Sequence, residues 1–153
     1  MSEIIQLQSI ADLHKLFNLG NSQHPLVAVL DFSKVTEQVE QNTKITTDFY
    51  SIMFKNYCKN HIKYGRKTID FQDGNLICIA PNQTIEIDNE IEEREDKMGW
   101  GLFFHPDLIR STTLNQKIKE YSFFQYEVSE ALHLSDKEKN ILLECVQKIQ
   151  TEL

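Results

Sequence analysis

The sequence predicts a mainly β domain, a small antiparallel barrel or jelly roll, closed by helices at its C-terminal end. Four stretches carry that expectation. Tyr64–Ile87 reads as strand, turn, strand, corner and strand; Asp48–Lys55 and Met98–Phe104 alternate as half-buried strands do; and a capped amphipathic helix opens at Ser135. A chain of 153 residues is expected to form one domain, with the barrel over about residues 25–134 and the helix over 135–153.

Taken in order, Ser9 and Asp12 form the ends of a capping box, and Gly20 stands where a helix should stop. Ile10, Leu13, Leu16 and Phe17 share one helical face, so this segment should lie against the barrel. Leu26–Phe32 follows His24-Pro25 and is almost continuously apolar, which predicts a central strand or one covered on both faces. Val35–Thr46 reads as a connection. In Asp48–Lys55, Tyr50, Ile52 and Phe54 point one way and Phe49, Ser51 and Met53 the other; alternation does not say which row faces inward. Asn56–Lys63 reads as a turn. Asp73-Gly74 between Lys67–Phe71 and Leu76–Ala80 predicts a hairpin. Pro81 ends the second strand, because it has no ladder N–H, and Thr84–Ile87 resumes as a third.

The acidic run Asp88–Lys97 reads as a solvated loop, without the oxygen-ligand spacing or the bend glycine of a calcium site. In Met98–Phe104, Trp100, Leu102 and Phe104 share a face, while Gly99 and Gly101 on the other leave room for close approach of a backbone or ligand. His105-Pro106-Asp107 starts a helical turn and Leu114–Tyr121 a short helix. Phe124–Val128 and Ala131–Leu134 read as extended. Ser135 to Glu138 is a second capping box, and the helix it opens carries a stripe of Ile141, Leu142, Cys145, Val146, Ile149 and Leu153. No glycine or proline stops that helix before the chain ends, which suggests continuation into further sequence.

Composition excludes several functions. A net charge of −7 argues against direct grip on a phosphate backbone. No apolar run approaches the roughly 20 residues of a membrane span, and the N-terminus lacks the signature of a secretory signal. Three cysteines (Cys58, Cys78 and Cys145) in no metal or redox spacing fit a reducing, cytoplasmic setting. The five histidines are isolated, with neither HxH nor HExxH, so no metal or other cofactor is expected. Nucleophile-elbow, P-loop and dinucleotide fingerprints are also missing, which favours a binding module over an enzyme.

Three stretches resemble a known family: Gly74–Gln83, Gly99–Ile109 and Lys117–Leu153. The Gly-Trp, apolar strand and Phe-His-Pro-Asp-Leu of Gly99–Leu108 is one specific pattern. Tyr-x-Phe-Phe-x-Tyr followed by Glu-Ala-Leu-His-Leu-Ser, within Tyr121–Ser135, is the other. Together they make the chain from Leu26 onward resemble the N-terminal regulatory domain of AraC-type transcriptional regulators. Asp73-Gly74-Asn75 stands where the family commonly has Pro-Gly-Asp. The resemblance implies a cupin-like barrel and a helical dimerisation segment. It also implies an appended DNA-binding domain with paired helix-turn-helix motifs, and that domain is absent from this chain.

On that reading the domain is a homodimer that senses a small-molecule effector inside the barrel. The candidate ligand residues are Tyr50, Ile52, Phe54, Cys78 and Trp100; each also reads as plain barrel filling. The candidate dimer residues are Ile141, Leu142, Cys145, Ile149 and Leu153, which otherwise would pack wholly on their own barrel. The alternatives are a cupin-fold enzyme, such as a sugar isomerase or dioxygenase, and a stand-alone sugar-binding module.

Overall fold

The computed structural model describes residues 4–34, 43–55, 60–64, 67–69, 75–89, 99–121, 124 and 132–153. The strands are β1 (Ile4–Leu7), β2 (Val27–Asp31), β3 (Thr43–Thr47), β4 (Tyr50–Lys55) and β5 (Asn60–Tyr64), then β6 (Lys67–Ile69), β7 (Asn75–Ile79), β8 (Thr84–Asn89), β9 (Gly99–Phe104) and β10 (Leu132–His133). The helices are α1 (Ile10–Leu16), α2 (Pro106–Ile109), α3 (Thr113–Lys117) and α4 (Asp136–Glu152).

The strands form two five-stranded sheets, in the orders β1-β3-β8-β5-β6 and β10-β7-β4-β9-β2. From β2 to β9 the pairings nest: β5 with β6, β4 with β7, β3 with β8 and β2 with β9, all antiparallel. The β4–β9 and β5–β8 pairings then assemble the nested pairs into sheets. β1 adds to β3 in parallel and β10 to β7 antiparallel. Among the described residues no strand pairing joins the two sheets into a closed barrel.

Several expectations are corrected. The Asp73-Gly74 segment itself lies outside the described residues, but the strands flanking it do not pair with each other. β6 pairs with β5 and β7 with β4, in opposite sheets. The Pro81 corner likewise sends the chain from one sheet to the other. Turn chemistry marks where a strand ends; the nested pairing decides which strand it meets. The corner itself is built as its residues predict: Gln83 N–H donates to the Ala80 carbonyl, and Asn82 takes a left-handed φ of 66° after Pro81, the pattern of a type II turn. The supposed connection before Thr46 ends in β3, and the supposed turn 56–63 ends in β5. Of the two alternatives expected for β2, a central strand or one covered on both faces, the second holds: β2 is an edge strand with both faces covered. The acidic run beyond Asn89, and the segment Phe124–Val128 apart from Phe124, lie outside the described residues.

Both capping boxes form. Ser9 Oγ accepts from the Asp12 N–H at 3.2 Å, and Ser135 Oγ accepts from the Glu138 N–H at 3.2 Å; each acid accepts the cap residue's own N–H in return. α1 ends at Leu16 with Phe17 as its C-cap, and the left-handed residue that closes it is Asn18 rather than Gly20. Asn18 has φ 53°, its N–H donates to the Lys15 carbonyl, and the Leu19 N–H donates to the His14 carbonyl, a Schellman closure.

Among the described residues there are two cores. Between the sheets lie Ala28, Leu30, Met53, Ile77, Ile79 and Phe103 from one sheet, facing Leu7 and Ile45 from the other, with Phe49, Ile10 and Leu13 sealing the α1 side. The second core lies on the opposite face of the β4-containing sheet. There Tyr50, Leu76, Cys78 and Phe104 meet Ile109, Ile118, Phe124 and the inner stripe of α4.

Candidate functional site

The five residues expected to line the barrel interior all sit on one face of one sheet. The register places Ile52 opposite both Cys78 and Leu102, Phe54 opposite Trp100, and Tyr50 opposite Phe104. Tyr50 stacks on Phe104 at 5.1 Å between ring centroids and meets Phe124 edge-on at 5.2 Å; Phe54 stacks on Trp100 at 6.0 Å. Yet this is the face covered by the C-terminal helices, not the face between the sheets. The interior row of β4 is Ser51 and Met53. Expecting Tyr50, Ile52, Phe54, Cys78 and Trp100 inside the barrel is therefore corrected. A sheet covered on both sides is apolar on both rows, so alternation could not choose between them.

The close-approach reading is also resolved for Gly101 in β9. The space beside Gly101 is taken by the rings of Phe103 and Phe32, so its missing side chain accommodates core aromatics. Cys78 is buried, and burial pushes its thiol up to about 12, so it behaves as a small apolar side chain with no thiolate. Burial also raises the Tyr50 phenol above its ordinary value.

What opens to solvent on this face is an apolar groove of about 530 Å³ between the sheet and the helices. Val27, Leu102 and Phe104 make its floor. Leu108 and Ile109 of α2 and Leu114 of α3 make one wall, and Ile149 and Leu153 the other. At the rim stand His24, Lys148 and Glu152. His24 Nδ1 accepts from the Leu26 N–H at 3.0 Å, so the neutral ring carries its proton on Nε2 and offers it as a donor. An apolar slot of this size with a few polar groups at its edge suits a small organic ligand. None of the five sequence candidates lines it; Tyr50 touches it only through Phe104. Leu108 and Leu114, both 40% exposed, are the legible signal, being large apolar residues on short helices with no reason of their own to face solvent.

The stripe on α4 divides. Val146 is buried, and Leu142, Ile149 and Leu153 pack against the second core. Ile141 is 51% exposed and Cys145 is exposed, so these two of the five candidate dimer residues, with Leu143 at 41%, are left to solvent. The helix thus docks on its own sheet through one line of residues and keeps a second line free.

Among the described residues no group of three or more His, Cys, Asp or Glu side chains is placed to hold a metal ion, and no helix is long and apolar enough to cross a membrane. The chain matches no family model and no curated protein.

Proposed function

We propose that this chain is an effector-sensing and dimerising module of the AraC-type regulatory class. In this reading it is a cupin-like jelly roll whose C-terminal helix transmits ligand occupancy to a DNA-reading domain joined to it. The nested order of β2 to β9 is the pairing order of a jelly roll and supports the architecture. The patterns at Gly99–Leu108 and Tyr121–Ser135 support the family. The domain works in the cytoplasm as a homodimer, makes no contact with nucleic acid of its own, and performs no chemistry.

One observation carries the mechanism: α4 and the sheet share the walls of an open apolar groove. A ligand seated there touches Ile149 and Leu153 as well as Leu102 and Phe104, so it favours one position of α4 over others. It shifts that balance only by its differential affinity for the two positions. The effector site is thus the groove on the outer face and not the space between the sheets, which is filled by Met53, Ile77, Ile79 and Phe103.

A thermal-shift screen with sugars, aromatic acids and other small metabolites tests the reading. A ligand at one hundred times its dissociation constant adds about 2.7 kcal/mol of stability, a clear rise in melting temperature. The rise should vanish in Leu102→Arg, which blocks the groove. A screen without hits, combined with a chain that sediments as a monomer at every concentration, overturns the proposal.

A further inference from the structure

β2 is an edge strand of its sheet, and among the described residues it pairs on one side only, with β9. The register fixes which backbone groups are unused. His105 N–H donates to the Leu26 carbonyl at 2.8 Å, and that pair continues the β2–β9 register. In an antiparallel pair, hydrogen-bonded and non-bonded residues alternate, so Ala28 and Leu30 bond to β9 while Val27 and Val29 turn their N–H and C=O groups to the open side. No hydrogen bond engages them among the described residues.

Exposed edges are normally blunted by charge, proline, a bulge or a cover. Val27–Leu30 carries no charge and no proline, and its register with β9 runs without a bulge. Asp31 at its end is already engaged, its Oδ1 accepting from the Ser33 N–H at 3.0 Å and the Ser33 hydroxyl at 2.6 Å. The edge instead forms the floor of a separate slot of about 250 Å³. His14, Asn21 and Gln23 line one wall and Gln150 the other. No side chain lining the slot is an acid, a lysine or an arginine. The carboxamides of Asn21, Gln23 and Gln150 have no hydrogen-bond partner among the described residues, and each offers both donors and an acceptor.

We propose that this slot docks an extended, uncharged polypeptide segment, which adds to the sheet as a strand beside Val27–Val29. Donors and acceptors that repeat every second residue along a strand edge match another peptide backbone. The uncharged walls match a segment without charged side chains. The slot is concave, with walls from residues 14–23 and 150–153, so it takes a slender strand more readily than the flank of a second folded copy. The slot adjoins the apolar groove and shares Val27 and Leu153 with it, but Val29 lines the slot alone, so a substitution there separates the two readings.

The test is selection of a displayed library of random peptides about six residues long on the wild-type chain, with counter-selection on Val29→Pro. Proline removes the outward N–H of residue 29 and leaves the β9 ladder intact. Selected peptides should be uncharged, should slow hydrogen exchange at the Val27 and Val29 amides, and should bind Val29→Pro about tenfold or more weakly. N-methylation of alternate peptide amides breaks the same bonds with the protein unaltered. The proposal is overturned if no peptide is enriched, or if peptides bind equally after N-methylation. It is also overturned if protection of Val29 rises with protein concentration alone, which would make a second copy the occupant.

Discussion

Gln83 ties two distant parts of the chain together: its Nε2 donates to the Phe124 carbonyl at 2.8 Å, while its Oε1 accepts from the Ala80 N–H at 2.8 Å. One carboxamide thus fixes the Pro81 corner and the backbone that covers the outer face of the sheet. Phe124 in turn holds its ring edge-on to Tyr50. Gln83→Ala should leave the Ala80 N–H and the Phe124 carbonyl without this partner and cost about 1–3 kcal/mol. Chemical denaturation checks it; a loss below about 0.5 kcal/mol would show that water replaces the amide at no cost.

Gly101 argues a second stability prediction. A Cβ there would lie 2.5 Å from Phe103 Cε2 and 2.8 Å from Phe32 Cζ. Phe103 is buried against Phe49, edge-on at 6.2 Å, so its ring has little room to move. Gly101→Ala should destabilise the fold by about 1–3 kcal/mol through overpacking. An unchanged melting temperature would mean that the aromatic cluster repacks freely.

These two residues show what the sequence could and could not carry. The caps of α1 and α4 were legible because Ser9–Asp12 and Ser135–Glu138 close their hydrogen bonds within three residues, so neighbours in sequence suffice. The strands β4 and β9 were legible from their alternation, and β7 from an apolar run set between Asp73-Gly74 and Pro81. Their partners were not, since pairing β4 with β7 rather than β6 with β7 is settled across the whole nested arrangement. Nor was the inward row of β4, because helices cover the other row. Thr43–Thr47 and Asn60–Tyr64 are too polar to announce themselves as strands. Tyr50, Ile52, Phe54, Cys78 and Trp100 share one face of the sheet, but it is the face under the C-terminal helices, and none of them lines the groove. The groove depends on Leu108, Leu114 and Ile149 converging from three helices, which no local pattern reveals.

The division of the α4 stripe separates docking from self-association. Val146 is 5% exposed and Ile141 is 51% exposed. Val146→Asp should cost about 3 kcal/mol or more, because it buries an unpaired carboxylate. Ile141→Asp should change stability by no more than about 0.5 kcal/mol, yet weaken any dimer formed through the free line of the helix. Ile149→Asp would confuse the two effects, since Ile149 packs on the sheet. Sedimentation of the Ile141 variant decides the matter: an assembly unchanged by the substitution excludes this flank as the interface.

His14 makes stability depend on pH. Both ring nitrogens are buried without a hydrogen-bond partner among the described residues, and loss of hydration lowers its pKa below the ordinary 6.5. The unfolded chain then binds a proton that the native chain refuses. Between the lowered native value and 6.5, stability rises with pH; the contribution is complete above 6.5 and is lost as pH falls below it. His14→Leu removes the titrating ring and its two unpaired nitrogens while keeping an apolar side chain on α1. The variant should be more stable than the parent by about 1 kcal/mol at neutral pH, and its advantage should widen on acidification. Denaturation midpoints of both proteins at about pH 5.5 and about pH 7.5 supply the comparison. If the parent and the variant lose stability in parallel between those two conditions, the acid sensitivity belongs to another group and His14 is accommodated in its charged form.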